Sequence, residues 1–244
     1  MAVLGIIGGS GLASLHALDI ERREMVHTPY GEPSGPYSIG SFDGIDVIFQ
    51  PRHGAGHTIP PHAVNYRANI WGLKELGADK VIGMAAVGGI SGNMCPGSIS
   101  VPNQIIDYTH SRKHTYFDSH LSPVTHIDFT EPYCEDLRKS LLKAGEKSGI
   151  LLIDKATYGA TQGPRLETAA EINRMDKDGC DIVGMTGMPE ASLARELGLC
   201  YACCAVTVNW AAGRSDGPIR MEEIEDNLTI GMANARQVLA ALEL

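Results

Sequence analysis

The chain has 244 residues, of which 43% are apolar and 20% are charged, a composition typical of a globular protein with a large core. The formal net charge is −9 and no basic stripe is visible, which argues against a nucleic-acid partner. The sequence contains no run of eighteen or more apolar residues, so it predicts no membrane-spanning helix. The N-terminal MAVLGIIGGSG predicts a strand rather than a signal peptide, so we expect a cytoplasmic protein with no membrane partner.

Strand-like and helix-like segments alternate along the chain, which predicts an α/β fold formed as one domain over residues 1–244. The predicted strands are 3–7, 45–50, 81–87, 99–106, 151–158, 181–185 and 199–208. The predicted helices are 62–76, 131–148, a helix from about residue 167, and 221–242. Residues 107–130 are polar and predict a long loop, and long loops in compact domains are usually functional.

The cysteines allow two interpretations. Cys200 and Cys203 form a C-x-x-C pair, which would suit redox or metal chemistry. The surrounding run LCYACCAVTV is apolar and no second ligand pair exists, so we favour a buried strand that uses cysteine as a small apolar residue. That interpretation predicts a reducing, cytoplasmic setting.

Three predicted strands end in small polar or basic residues. Ser10 lies in a glycine-rich turn, Arg52 and His53 follow the second strand, and Thr186 follows the strand at 181–185. Each cluster alone fits a plain turn or a surface arginine. Together they predict an oxyanion site, because glycine turns, hydroxyls and guanidinium groups at strand ends are suited to phosphate.

Longer segments carry a resemblance to a known family. GIIGGSGL, PRHGAGHTIPPHAVNYRANIWGLKELG, TQGPRLETAAE and MTGMPEASLARELGLCYA resemble the methylthioadenosine phosphorylase branch of the trimeric purine nucleoside phosphorylases, nearly end to end. The resemblance implies a central mixed, partly barrel-like β-sheet flanked by helices, and a homotrimer. It also implies phosphorolysis of a nucleoside, with inorganic phosphate as co-substrate and neither a metal nor another cofactor.

The resemblance assigns a phosphate site and a ribose site. The phosphate-binding residues it implies are Ser10, Arg52, His53, Ala85 and Thr186. Met185 and Ala86 correspond to positions that contact the ribose. Ala85 stands where the methylthioadenosine enzymes usually have threonine, so it would contribute only its backbone N–H.

The base pocket departs from the adenine-specific pattern. The resemblance implies that Leu166, Glu167, Asn209 and Ala211 contact the base, with Glu167 and Asn209 as the catalytic pair. Glutamate and asparagine are the pair that 6-oxopurine phosphorylases use: the carboxylate accepts from N1–H and the amide donates to O6. Alternatively, Glu167 is an acid favoured by a helix N-terminus and Asn209 is a turn residue.

The 5′ end departs from the inosine-type pattern. No histidine follows His126, whereas inosine-type enzymes read the 5′-hydroxyl with a histidine before the C-terminal helix. Met221 and Ile224 correspond to the apolar wall of a methylthio pocket, although both also fit the core stripe of the helix. His126 matches a residue that reaches into a neighbouring subunit's 5′ pocket.

These observations predict phosphorolysis of S-methyl-5′-thioinosine to hypoxanthine and 5-methylthioribose 1-phosphate. The alternatives are a methylthioadenosine phosphorylase and a broader 6-oxopurine nucleoside phosphorylase. A non-catalytic nucleoside- or anion-binding protein, or a hydrolase that uses water, would retain the fold but not need the whole phosphate set.

Overall fold

The computed structural model describes residues 3–9, 18–118 and 124–244. Within these ranges one mixed sheet contains the strands β1 Leu4–Gly8, β2 Asp19–Glu24, β3 Tyr37–Phe42, β4 Ile45–Pro51, β5 Lys80–Gly89, β6 Ile99–Val101, β7 Gln104–Asp107, β8 Leu152–Asp154, β9 Thr157–Ala160, β10 Ile182–Gly184 and β11 Cys200–Trp210. The helices are α1 Tyr66–Glu75, α2 Glu135–Ser148, α3 Ala169–Lys177, α4 Gly187–Glu196 and α5 Met221–Ala240.

The sheet branches at its longest central strand pair. Its main path runs β2-β3-β4-β1-β5-β10-β9-β7, while β11 pairs with β5 and leads on to β6 and β8. β5 and β11 are almost continuously apolar and buried, as expected of strands covered on both faces. Because β4, β1, β5 and β11 are mutually parallel where they pair, their carboxyl ends share one edge of the sheet.

Helices cover the sheet on two sides. Alternation along β1 sends Ile7 into the core under α1 and α4, and Leu4 and Ile6 into the core under α2 and α5. Local signals set the helix ends: Gly149 ends α2 in the left-handed region, and Thr168 begins α3 with a capping box. The predicted α/β class, with a mixed sheet flanked by helices, is confirmed.

Some predicted boundaries were wrong. The strands predicted at 99–106 and 151–158 are each two strands, and Pro102, which has no N–H, separates the first pair. The helix predicted from residue 62 begins at Tyr66, after a 3₁₀ turn over Pro61–Ala63. Strands β2 and β3 and helix α4 were not predicted; β2 is DIERRE, fully exposed, with no apolar alternation to indicate a strand.

The prediction that Cys200 is only a buried apolar residue is also wrong. Cys200 forms a disulfide with Cys134, 66 residues away in sequence. Cys203 and Cys204 are buried free thiols, as predicted. The disulfide removes the basis for inferring a reducing setting from the cysteines. In the described ranges, no helix has both the length and the apolar character needed to cross a membrane.

Candidate active site

A cavity of about 480 Å³ lies where β4, β5, β10 and β11 present their ends or exposed edges. It brings together most of the residues singled out from the sequence: Arg52, His53, Ala85, Ala86, Leu166, Glu167, Met185, Thr186, Asn209, Ala211, Met221 and Ile224. Ser10 lies outside the described residues. His126 is exposed and does not line the cavity.

Arg52 lies at the floor of the cavity with 1% of its surface exposed. Its Nε and Nη2 donate to the carboxylate of Glu190, the latter at 2.9 Å, and Nη1 donates to Met84 O at 2.8 Å. Burial alone would lower the pKa of Arg52, but the charge and hydrogen bonds of Glu190 outweigh it and raise the pKa. Since a guanidinium has five N–H groups, two remain for an anion in the cavity.

The main chain approaches Arg52 closely. A Cβ at Gly9 would lie 2.8 Å from Arg52 Nη1 and 2.7 Å from Met84 O, so only glycine fits there. Gly9, which directly follows β1, therefore lies against the guanidinium.

Sequence reasoning missed Glu190 and Tyr201, which support Arg52. Glu190 is 2% exposed, and Tyr201 donates its hydroxyl to Glu190 at 2.9 Å. The bidentate pair fixes the orientation of the guanidinium. One signal was present in the sequence: Glu190 is an acid within the small apolar run MPEASLA, where a solvated face would carry more polar residues.

His53 is held as a neutral imidazole. Its Nδ1 lies 2.8 Å from Ile59 O, and a carbonyl only accepts, so Nδ1 carries the proton. Burial and the charge of Arg52 lower the pKa of His53 to about 4. The other ring nitrogen, Nε2, is then an acceptor. A hydrogen phosphate ion can therefore bind Nε2 by donating the hydrogen of its P–O–H group.

The strand end at Met185 and Thr186 lies against the turn at 161–164. Thr186 is buried, and its N–H donates to Tyr158 Oη at 3.4 Å. Gly163 has φ +61°, and a Cβ there would clash with the Met185 sulfur. The glycine therefore allows Met185 to pack under the turn that leads to Glu167.

Asn209 faces the cavity because β11 contains a bulge. The pairing of β11 with β5 shifts by one residue between Thr207 and Asn209, which changes the face that the following side chains occupy. One amide hydrogen of Asn209 donates to Trp210 O at 2.7 Å. The second amide hydrogen and the side-chain oxygen stay available to a ligand.

Glu167 is oriented by a residue that sequence reasoning missed. Thr161 Oγ1 donates to Glu167 Oε1 at 2.7 Å and also lies 3.3 Å from Gly184 O. The half-buried carboxylate is thereby fixed at the cavity wall with its other oxygen able to accept. The signal in the sequence was weak, since a threonine directly after a strand usually indicates a turn.

The far end of the cavity is apolar and open. Ile219, Met221 and Ile224 line it, and Met221 is 61% exposed. A methylthio group would find polarizable and aliphatic contacts there but no hydrogen-bond donor from these side chains. Among the described residues, no group of three His, Cys, Asp or Glu side chains is arranged to hold a metal ion.

A mixed sheet with a cavity at its strand ends, lined by a buried arginine and several small polar groups, is the arrangement in which α/β proteins typically bind small-molecule anions. Residues 3–242 match the family described as "Phosphorylase superfamily". The chain therefore belongs to the phosphorylase superfamily.

Individual relatives agree with this assignment. A protein of Pseudomonas syringae pv. tomato, described as a probable S-methyl-5′-thioinosine phosphorylase, is 53% identical over 98% of both chains. The 6-oxopurine nucleoside phosphorylase of Pyrococcus furiosus is 46% identical over 92% of this chain and 85% of its own. Methylthioadenosine phosphorylase from Schistosoma mansoni, in complex with adenine, has a TM-score of 0.94 at 32% identity, covering 99% of this chain and 90% of that one. This similarity confirms the predicted fold.

Proposed function

We propose that the protein is a pentosyltransferase that cleaves S-methyl-5′-thioinosine with inorganic phosphate, releasing hypoxanthine and 5-methylthioribose 1-phosphate. The observation that carries the proposal is the pairing of Glu167 with Asn209 in one cavity with Arg52 and Thr186. The name of the Pseudomonas syringae relative supports the same substrate.

Phosphate binds at the Arg52 end of the cavity. Arg52 supplies two N–H groups, Thr186 a hydroxyl, Ala85 its backbone N–H, and His53 accepts the P–O–H hydrogen. Ser10 belongs to the same proposed set. A phosphate oxygen attacks C1′ of the sugar while the bond from C1′ to N9 breaks, and the bond's electron pair moves onto the purine. The oxocarbenium-like sugar and the phosphate dianion attract each other, so positioning the two reactants supplies much of the rate.

The leaving base is held by Asn209 and Glu167. As negative charge moves onto the purine, N7 becomes basic and takes a proton from water, which is balanced by the proton that the new phosphate monoester releases. Asn209 Oδ1 accepts from N7–H, and its second amide hydrogen donates to O6, because the first is held by Trp210 O. The Glu167 carboxylate, oriented by Thr161, accepts from N1–H. Leu166 and Ala211 complete the apolar walls around the ring.

Adenine fits this pair poorly. Its N6 amine would meet the Asn209 amide donor, and its bare N1 would face the Glu167 carboxylate. A mismatched buried polar pair costs about 1–3 kcal/mol. A methylthioadenosine phosphorylase, like the Schistosoma mansoni neighbour, is therefore the less favoured alternative.

The sugar lies over Met185 and Ala86, and its 5′ group lies against Met221 and Ile224. A 5′-hydroxyl would lose its hydrogen bonds to water there and gain no partner, which costs about 1–3 kcal/mol. This cost corresponds to a roughly tenfold to hundredfold preference for the methylthio nucleoside. The exposure of Met221 keeps a broader 6-oxopurine nucleoside phosphorylase as the second candidate, since a neighbouring subunit could complete this wall.

A homotrimer is part of the proposal, with exposed His126 reaching the 5′ end of a neighbouring site. The proposal also includes a single phosphorylase domain over residues 1–244, which the span of the family match supports. It further includes a cytoplasmic location, where nucleosides and phosphate are both present. The reaction as written balances without a metal or other cofactor.

The experiment measures base release from methylthioinosine, inosine and methylthioadenosine, with and without phosphate, and identifies the sugar product. We expect 5-methylthioribose 1-phosphate from methylthioinosine, and no release without phosphate. Equal release in phosphate-free buffer would make the protein a hydrolase. Nucleoside binding without turnover would make it a binding protein.

A further inference from the structure

Arg112 is a buried arginine in the segment between β7 and α2, with 8% of its surface exposed. All of its hydrogen-bond acceptors are neutral. Nη1 donates to Met188 O at 2.6 Å, Met185 O at 2.8 Å and Tyr66 Oη at 3.3 Å, Nη2 donates to Gln162 O at 2.8 Å and Thr161 O at 3.2 Å, and Nε donates to Gln162 Oε1 at 3.1 Å. Its guanidinium also lies 5.3 Å from the centre of the Tyr66 ring.

Arg112 differs from the other buried arginines in having no acid beside it. Arg52 pairs with Glu190, and Arg138 pairs with carboxylates, but no described Asp or Glu lies within 4.0 Å of Arg112. The segments outside the described ranges contain no Asp or Glu. An unpaired buried charge is costly, so a set of main-chain carbonyls must offset that cost here.

These carbonyls belong to two walls of the candidate active site. Met185 O directly precedes Thr186, which we assign to phosphate. Thr161 and Gln162 begin the turn that carries Glu167, which we assign to the base, and the Thr161 side chain itself holds Glu167. The two turns follow different strands, β10 and β9, and one guanidinium joins their ends.

A third wall is attached through Tyr66. The Tyr66 hydroxyl accepts from Arg112 and donates to Pro61 O at 2.8 Å, and Pro61 lines the cavity. The planar guanidinium of Arg112 has five N–H donors and can therefore donate to acceptors on three walls at once. A lysine ammonium has three donors on one nitrogen and cannot reach the same set of acceptors.

We infer that Arg112 is a positioning residue that sets the distance between the phosphate end and the purine end of the cavity. The inference rests on the proposed function. Phosphorolysis needs the phosphate oxygen and C1′ within attack distance, and misplacement by about 1 Å can reduce the rate about a hundredfold. Arg112 touches neither substrate and acts through Thr186 and Glu167.

The test compares Arg112→Met with Arg138→Met in the full-length protein. Arg138 is the matched control: it is 2% exposed and donates to the main-chain oxygens of Pro102 and Val101, and no partner of it lines the cavity. We measure kcat, both KM values and the melting temperature. Arg112→Met should lose kcat by about a hundredfold, with smaller rises in both KM values. Arg138→Met should have a lower melting temperature than the parent, with kcat and both KM values unchanged.

Arg112→Lys, which keeps the charge and the bulk, covers the case in which Arg112→Met does not fold. It should be folded and at least about tenfold slower than the parent, because three donors cannot hold both turns in register. A folded Arg112→Met or Arg112→Lys protein with the parent's kcat would overturn the inference. If the parent itself releases no base with phosphate, the proposed function fails instead, so the two failures are distinguishable.

Discussion

Replacing Thr161 with valine should weaken cleavage of 6-oxopurine nucleosides and leave phosphate use unchanged. The substitution keeps the shape of the side chain and removes one hydroxyl. That hydroxyl donates to Glu167 Oε1 at 2.7 Å, so its loss frees the carboxylate that we assign to N1–H of the base. The proposed phosphate position is at the Arg52 end of the cavity and does not include this bond.

The size of the effect follows from the burial of the two partners. A hydrogen bond to a charged group contributes about 1.5–3 kcal/mol when it is buried. Thr161 is 8% exposed but Glu167 is only half-buried, so we take the lower value, about 1.5 kcal/mol. This corresponds to about a tenfold loss in kcat/KM, since 1.4 kcal/mol is a factor of ten.

The assay is kcat/KM for methylthioinosine and methylthioadenosine, together with KM for phosphate. Methylthioinosine should lose about tenfold and methylthioadenosine less, because adenine has no N1–H for Glu167 to accept. Thr161→Ser keeps the hydroxyl and is the control that should retain the parent's values. Unchanged methylthioinosine cleavage in a folded Thr161→Val protein would refute the assigned role of Glu167.

Three further predictions concern the contact of Asn209 with the base, the stability of the protein in acid and reduction of the disulfide. Asn209→Asp should weaken methylthioinosine cleavage by about tenfold, because the carboxylate cannot donate to O6; unchanged kcat/KM would contradict the assignment. His53 has its pKa lowered from 6.5 to about 4, so the folded protein favours the neutral ring. Its contribution to the free energy of unfolding is complete above pH 6.5 and is lost as the pH falls toward about 4. Denaturant unfolding of the parent and His53→Asn at several pH values should show the smaller acid dependence in the variant, and equal dependence would argue against a neutral His53. Reducing the Cys134–Cys200 disulfide, which closes a 66-residue separation, should remove about 4 kcal/mol and lower the melting temperature by about 10 °C. A reductant that leaves the melting temperature of the parent unchanged would contradict this.

The strands around the cavity were predictable because their signals are local. β1 and β5 are apolar runs that end in glycine, and β11 is an apolar run that ends in Asn209 and Trp210. The carboxyl ends of these parallel strands share one edge of the sheet. Arg52 and His53 follow the parallel strand β4 at this edge, whereas Thr186 reaches the same cavity from β10, which runs antiparallel to β5. The family resemblance located Glu167 and Asn209, and the structure places both at the same cavity.

The supporting residues were not predictable because their partners are distant in sequence. Glu190 meets Arg52 across 138 positions, and Arg112 meets Met185 across 73. The disulfide joins positions 66 apart with no local signal. The bulge that turns Asn209 toward the cavity depends on the register between β11 and β5, which the order of apolar residues in a buried strand does not specify.

The ratio of kcat/KM for methylthioinosine to that for methylthioadenosine, measured on the unmodified protein at saturating phosphate, tests the central claim most directly. Two mismatched contacts, at Glu167 and at Asn209, cost adenine about 1–3 kcal/mol each. The account therefore predicts a ratio of at least about thirtyfold in favour of methylthioinosine, since about 2 kcal/mol is the smallest sum of the two costs. An equal or higher value for methylthioadenosine would contradict the account and make the protein an adenine-releasing phosphorylase.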